Sequence, residues 1–262
     1  MTGPTPVVLI HGATSSARAW DPLLPMLSPK CRIFVPTLAG HRGGPPLVTG
    51  PVGVVDTIVN DMGRQLDEAA IDTAHMVGNS LGGWVALELA RRGRAQSVLA
   101  LSPAGAWRSL RDLRRLLLIF RAGATLGRVN DMANLAARKR ARRILLILMA
   151  EHADRMTPAQ VTAIFEDMAG CAALPEILDG ARDNGPIKPV LDVGCRLRIG
   201  WGLKDRMLPF MRYGAPMLAA VPDAEFMLIP GVGHVPMIDD PGLIARTILD
   251  FIETTDLQLN SR

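Results

Sequence analysis

His75-Met76-Val77-Gly78-Asn79-Ser80-Leu81-Gly82-Gly83-Trp84-Val85-Ala86 is the stretch that decides the fold. Its first three residues read as a buried strand. From Gly83 through Ala90 the pattern is helical, with Val85, Ala86, Leu89 and Ala90 apolar and Glu88 polar. Between the two lies G-x-S-x-G, and strand, sharp turn, helix is the context in which that motif presents a nucleophile. The turn needs small residues, because the serine backbone is strained and the strand and helix pass close together. Gly78 and Gly82 supply them. Ser80 is then expected at the C-terminal edge of a sheet, beside a helix N-terminus whose free N–H groups can receive an oxyanion. Taken alone, the motif is equally well read as a serine N-cap opening an ordinary helix.

A serine hydroxyl is a poor nucleophile without a base and a group that orients the base. The histidines are His11, His41, His75, His152 and His234. His234 stands in the glycine-rich Pro230-Gly231-Val232-Gly233-His234, directly after the apolar run Phe226-Met227-Leu228-Ile229, so it falls on a loop at a strand end. An acid is expected between Ser80 and His234 in chain order. Asp205 fits, a short loop beyond the strand-like Leu197-Arg198-Ile199-Gly200-Trp201. An exposed aspartate paired with Arg206 is the alternative for Asp205, and a loop cap the alternative for His234. Three such residues at strand ends in this order favour a Ser80, Asp205, His234 triad. His11-Gly12 follows the strand-like Val7-Val8-Leu9-Ile10, so the backbone N–H groups of Leu81 and Ala13 are the expected oxyanion donors. His11 is expected to orient its loop.

On these residues the chain resembles the α/β-hydrolase superfamily, in its lid-bearing serine hydrolase (esterase-like) branch. The carrying stretches are Leu9-Ile10-His11-Gly12, Gly78-Asn79-Ser80-Leu81-Gly82-Gly83, Trp201-Gly202-Leu203-Lys204-Asp205 and Gly231-Val232-Gly233-His234. Leu38-Ala39-Gly40-His41-Arg42-Gly43 is similar to the glycine-rich loop after the family's fourth strand. The resemblance implies a mostly parallel α/β sheet with helices on both faces and an inserted helical lid. It also implies ester cleavage through an acyl-enzyme, with no cofactor and no metal. Only six residues precede Val7, and Pro4 and Pro6 are poor strand residues. The family's first hairpin is therefore expected to be absent, leaving about six strands. Hydroxynitrile lyases of this family use a lysine near the catalytic histidine; none lies near His234 in sequence, and Lys204 is the only one near Asp205. Ser80 in place of an aspartate argues against haloalkane dehalogenase and epoxide hydrolase chemistry. Meta-cleavage carbon–carbon hydrolases resemble the chain at Gly78-Asn79-Ser80, and thioesterase or perhydrolase activity would use the same residues. A non-catalytic ligand receptor on the fold is the alternative of a different class.

The 262 residues can bury a large core, and 48% hydrophobic content suits a sheet covered on both faces. No apolar run approaches the ~20 residues that span a bilayer. No secretory leader is legible, and Cys31, Cys171 and Cys195 are odd in number and widely spaced. The expectation is a cytoplasmic protein, a monomer or homodimer, with free thiols. Arginine-rich, alanine-rich composition points to a bacterial source.

Along the chain, Ile33–Pro36 and Ser97–Leu101 read as strands. Val54–Ala70 reads as a helix packed through Val55, Ile58, Val59, Met62 and Leu66. Asp240-Pro241 opens a last helix, buried through Ile244, Ile248, Leu249 and Ile252, with a frayed tail from Thr254. The expected organisation is hydrolase core over 1–104, helical lid over 105–189 and core again over 190–262. In the lid, Leu110, Leu113, Leu117 and Phe120 fall on one helical face, a second helix is expected over Asn134–Glu151, and Thr157-Pro158-Ala159-Gln160 reads as a capping box. Its arginines (Arg108, Arg111, Arg114, Arg115, Arg121, Arg138, Arg140, Arg142, Arg143) read as a solvated face, or as a surface weakly attracted to anionic lipid or substrate. A net charge of +4 and 4% aromatic residues give no reason to expect nucleic acid as a partner. The expected partner is a small-molecule ester.

Overall fold

The structure is a computed structural model that describes residues 5–48, 50, 52–126, 132–183 and 185–261. In chain order the elements are β1 (Val7–Ile10), α1 (Leu24–Leu27), β2 (Ile33–Phe34), α2 (Val54–Glu68), β3 (Ala74–Asn79), α3 (Leu81–Arg91), β4 (Ala95–Leu101), α4 (Leu110–Leu126), α5 (Met132–Ala137), α6 (Lys139–Leu145), α7 (Pro158–Ala169), α8 (Leu174–Asp183), β5 (Arg196–Gly202), α9 (Phe210–Ala220), β6 (Glu225–Ile229), α10 (Pro236–Asp239) and α11 (Pro241–Asn260). The six strands form one sheet in the order β2-β1-β3-β4-β5-β6, and every pairing is parallel.

Side chains alternate across each strand, and both faces are apolar. Val8 and Ile10 of β1, Met76 of β3, Val98 and Ala100 of β4 and Leu197, Ile199 and Trp201 of β5 pack on α2, α3 and α9. Val7, Leu9, Val77, Leu99 and Leu101 point the other way, onto α1 and α11. That two-sided burial is why these strands read as unbroken apolar runs. The order reverses beside β1, whose neighbours are β2 and β3. In an open parallel sheet ligands bind at such a switch, outside the carboxyl ends of the strands. The loops after β1, β3, β5 and β6 all emerge on that edge.

Between β4 and β5 the described residues are helical and contain no strand. The capping box at α7 forms as its sequence predicts: Gln160 N–H donates to Thr157 Oγ1, and the Gln160 side chain accepts from Thr157 N–H. On the helical face expected in α4, Leu113 is buried while Leu110 is 67% exposed. Two expectations are corrected. The single helix expected over Asn134–Glu151 is two, because Arg138 is extended and the guanidinium of Arg142 turns back to cap the Ala136 and Ala137 carbonyls. The tail from Thr254 is helical to Asn260, with Thr255 buried and donating to the Phe251 carbonyl. In addition, β2 is shorter than expected, ending at Phe34. Among the described residues no helix is long and apolar enough to cross a membrane.

Candidate active site

Ser80 sits between β3 and α3 at φ +55°, ψ −118°, a conformation that costs a non-glycine residue on the order of 1–3 kcal/mol. The surroundings hold it there. Ser80 N–H donates to the Leu101 carbonyl (3.0 Å), while its carbonyl accepts from Gly83, Trp84 and Ala104 N–H. A side chain at Gly78 would come within 2.1 Å of the Gly82 carbonyl oxygen, and one at Gly82 within 2.2 Å of the Ile10 carbonyl oxygen. Both glycines are therefore required by close backbone approach. The β1 loop lies against the same turn: a Cβ on Gly12 would stand 3.1 Å from Ser80 Cβ.

His234 follows β6 and Asp205 follows β5. His234 Nδ1–H donates to Asp205 Oδ2 at 2.8 Å, and Asp205 Oδ1 accepts from Leu208 N–H at 2.7 Å. Both residues are buried, at 2% and 6% exposure. With Nδ1 carrying the proton, Nε2 presents its lone pair, and among the described residues this buried atom has no hydrogen-bond partner. A free acceptor held by a buried carboxylate is what a general base needs. Arg206 does not take Asp205 as its partner; it pairs with Glu151 at 2.5 Å and holds that carboxyl below the usual glutamate range.

Asn79 ties the nucleophile turn to the histidine. Its Nδ2 donates to the His234 carbonyl (2.9 Å) and to the Leu101 carbonyl (3.0 Å). Sequence reasoning left Asn79 without a role; the only signal was its place inside the Gly-x-Ser motif. Asp239 was also missed. Its carboxylate accepts from Gly233 N–H at 2.6 Å, next to His234, and only an acidic pair, Asp239-Asp240, marked it in the sequence.

The β1 loop is shaped by His11. Its Nδ1 must donate to the Gly12 carbonyl (2.8 Å), because its Nε2 accepts from Leu38 N–H (3.0 Å). Burial, then the neighbouring His41, push its pKa down to about 3. His11 is thus a neutral hydrogen-bonding strut, not a base. Among the described residues, neither Ala13 N–H nor Leu81 N–H donates to another protein group. Both expected oxyanion donors are therefore uncommitted beside Ser80.

A serine, a histidine and an aspartate also come together away from this turn. His75 Nδ1 lies 2.9 Å from Ser97 Oγ, and His75 Nε2 lies 3.2 Å from Asp256 Oδ1. Ser97 has no exposed surface, and it and His75 lie near the amino ends of their strands. No substrate carbonyl can reach that hydroxyl. The three cysteines are free, and burial pushes the Cys171 and Cys195 thiols up to about 11. A surface groove of about 490 Å³ runs beside α2, past Pro45, Pro46, Thr57 and Arg64; none of the five expected site residues borders it.

The model of the alpha/beta hydrolase family matches residues 7–247. A protein of Mycobacterium tuberculosis described as epoxide hydrolase EphH is 34% identical over 194 residues, covering 72% of this chain and 91% of that one. The pimeloyl-[acyl-carrier protein] methyl ester esterase of Aromatoleum aromaticum is 29% identical over 253 residues, covering 94% and 97%. The solved structure of a thermophilic esterase from Thermogutta terrifontis superposes with a TM-score of 0.73 at 20% identity, covering 97% and 92%.

Proposed function

The chain belongs to the alpha/beta hydrolase family, and on that premise we propose that it is a serine hydrolase cleaving carboxylic esters of a small or lipid-like substrate. The observation that carries this reading is the buried Asp205–His234 hydrogen bond, which leaves His234 Nε2 free. In the first step Nε2 takes the Ser80 proton as Oγ attacks the ester carbonyl carbon. The carbonyl electron pair moves onto oxygen, where the Leu81 and Ala13 N–H groups receive it. Asp205 stabilises the imidazolium without taking its proton. Collapse of the tetrahedral intermediate expels the alkoxide, which His234 protonates, leaving an acyl-Ser80 ester. Water, deprotonated by His234, then attacks that ester, and Ser80 leaves with the proton returned. No cofactor enters either step. We read helices α4–α8 as a lid that shields the acyl-enzyme from bulk water.

Support for ester chemistry over epoxide opening comes from the nucleophile. A carboxylate that opens an epoxide forms an ester, which water can cleave. A serine hydroxyl would form an ether, which this triad cannot hydrolyse. The ester named for the Aromatoleum relative fits the same mechanism.

The test is hydrolysis of p-nitrophenyl esters of graded acyl length by wild type and Ser80→Ala. Turnover that depends on Ser80 supports the reading, and the preferred length sizes the acyl pocket. A folded wild type that is silent on esters but cleaves an enol-keto acid would replace this reading with carbon–carbon hydrolysis. Tight ligand binding without any turnover would replace it with a receptor.

A further inference from the structure

The loops that carry the base and its acid are each bonded to the helical connection between β4 and β5. On the base side, Asp239 is 3% exposed, and its carboxylate accepts three backbone N–H groups. One is Gly233, the residue before His234 (2.6 Å); the others are Glu151 (3.1 Å) and His152 (2.6 Å) of the connection. The residue after His234 is tied to the same segment, since Val235 N–H donates to the Met149 carbonyl at 2.8 Å. Gly233 packs so closely there that a Cβ would stand 3.2 Å from both Ala150 Cα and the Met149 carbonyl oxygen.

On the acid side, the guanidinium of Arg115 in α4 donates to the Arg206 and Met207 carbonyls, at 2.7 and 2.8 Å. These are the two residues that follow Asp205. Glu151 joins the two sides, its N–H on Asp239 and its carboxylate on Arg206.

We propose that Asp239 and Arg115 are positioning residues that couple the seating of the β4–β5 connection to the alignment of His234 on Asp205. The proposal rests on the ester-hydrolase reading of Ser80, Asp205 and His234. A buried carboxylate bonded to three N–H groups fixes a loop more firmly than apolar packing does, because each charge-assisted bond is directional. Substrate contacts with the connection would then strengthen base alignment, and that energy is expressed in kcat and not in KM.

Asp239→Asn keeps the shape but turns an NH2 group toward N–H donors, so at least one bond is lost. Arg115→Met keeps the apolar stem and removes the guanidinium. Asp240→Asn is the structural control, since Asp240 only caps α11 through Leu243 N–H. With a p-nitrophenyl ester, Asp239→Asn and Arg115→Met are expected to lose on the order of 100-fold in kcat with KM unchanged. Asp240→Asn keeps its kcat. Wild-type kcat in folded Asp239→Asn and Arg115→Met overturns the proposal. So does a change in KM alone, which would make the connection a substrate-binding surface only. If Asp239→Asn does not fold, Arg115→Met decides. Should wild type turn over no ester, the ester reading fails and the coupling is read by proton NMR. A downfield His234 ring N–H resonance present in wild type and lost in both variants supports it; the same resonance in all three overturns it.

Discussion

Ser80 and Ser97 carry the same hydroxyl and differ in what surrounds it. Ser80 is strained, lies at the carboxyl edge of the sheet and adjoins uncommitted N–H groups; Ser97 is sealed inside. Ser80→Ala is expected to lower kcat by about a millionfold and Asp205→Asn by about ten-thousandfold. Ser97→Ala leaves turnover unchanged. Steady-state rates on one ester compare all three. At Gly82 the constraint is steric. Alanine would place its Cβ 2.2 Å from one carbonyl oxygen and 2.5 Å from the next, so Gly82→Ala is expected to lose both Ser80 labelling by a phosphonate and several degrees of Tm.

The ends of the helices between β4 and β5 need partners that the local sequence only partly supplies. The α7 capping box is local, and Thr157→Ala is expected to cost about 1 kcal/mol, seen as a lower urea midpoint with an unchanged slope. The other attachments are long-range. Asp167 of α7 is 4% exposed, accepts from Ser16 Oγ at 2.7 Å and from the Arg18 guanidinium, and lies 3.7 Å from Arg42. Glu166 pairs with Arg18 and Arg42, each at 3.2 Å. Those contacts fix α7 to the segment that follows the β1 loop and, through Arg42, to the loop after β2. The clusters around Ala136, Leu146, Val161 and Phe165 and around Cys171, Leu174 and Leu178 are small, so these polar attachments, with the Arg115 and Asp239 bonds, do much of the seating.

Across the whole molecule, His11, His41 and His75 are all buried with their pKa values lowered, in each case chiefly by burial. The unfolded chain binds protons at these sites from about 6.5 downward, whereas folded His11 does so only near 3. The unfolded state then holds more protons, so stability rises with pH in that window and falls as pH drops from about 6.5 toward 3. Acid lability is therefore expected below pH ~6, with Tm falling and protons taken up on unfolding. Equal Tm values at neutral and acidic pH would contradict the burial of these rings.

Local sequence by itself determined the sheet and the nucleophile-type turn at its edge. The apolar runs ending at Ile10, Leu101 and Trp201 lie in strands whose two faces are covered, which leaves a period-free signal read directly from composition, whereas the run ending at Ile229 is a partly exposed edge strand. The glycines flanking Ser80 were legible because close backbone approach there excludes a Cβ, and those before His234 because they mark a loop at a strand end. The family and the core fold followed from those stretches. Tertiary structure alone decided that Asn79 holds His234, that Asp239 and Arg115 brace the base and acid loops, that Arg206 turns to Glu151 and that the helix expected over Asn134–Glu151 breaks at Arg138. Each of these rests on a directional bond to a residue distant in sequence or to a guanidinium folding back on its own helix end. No periodicity records where a hydrogen-bond donor will find its acceptor, because the pairing exists only once the loops have been brought together.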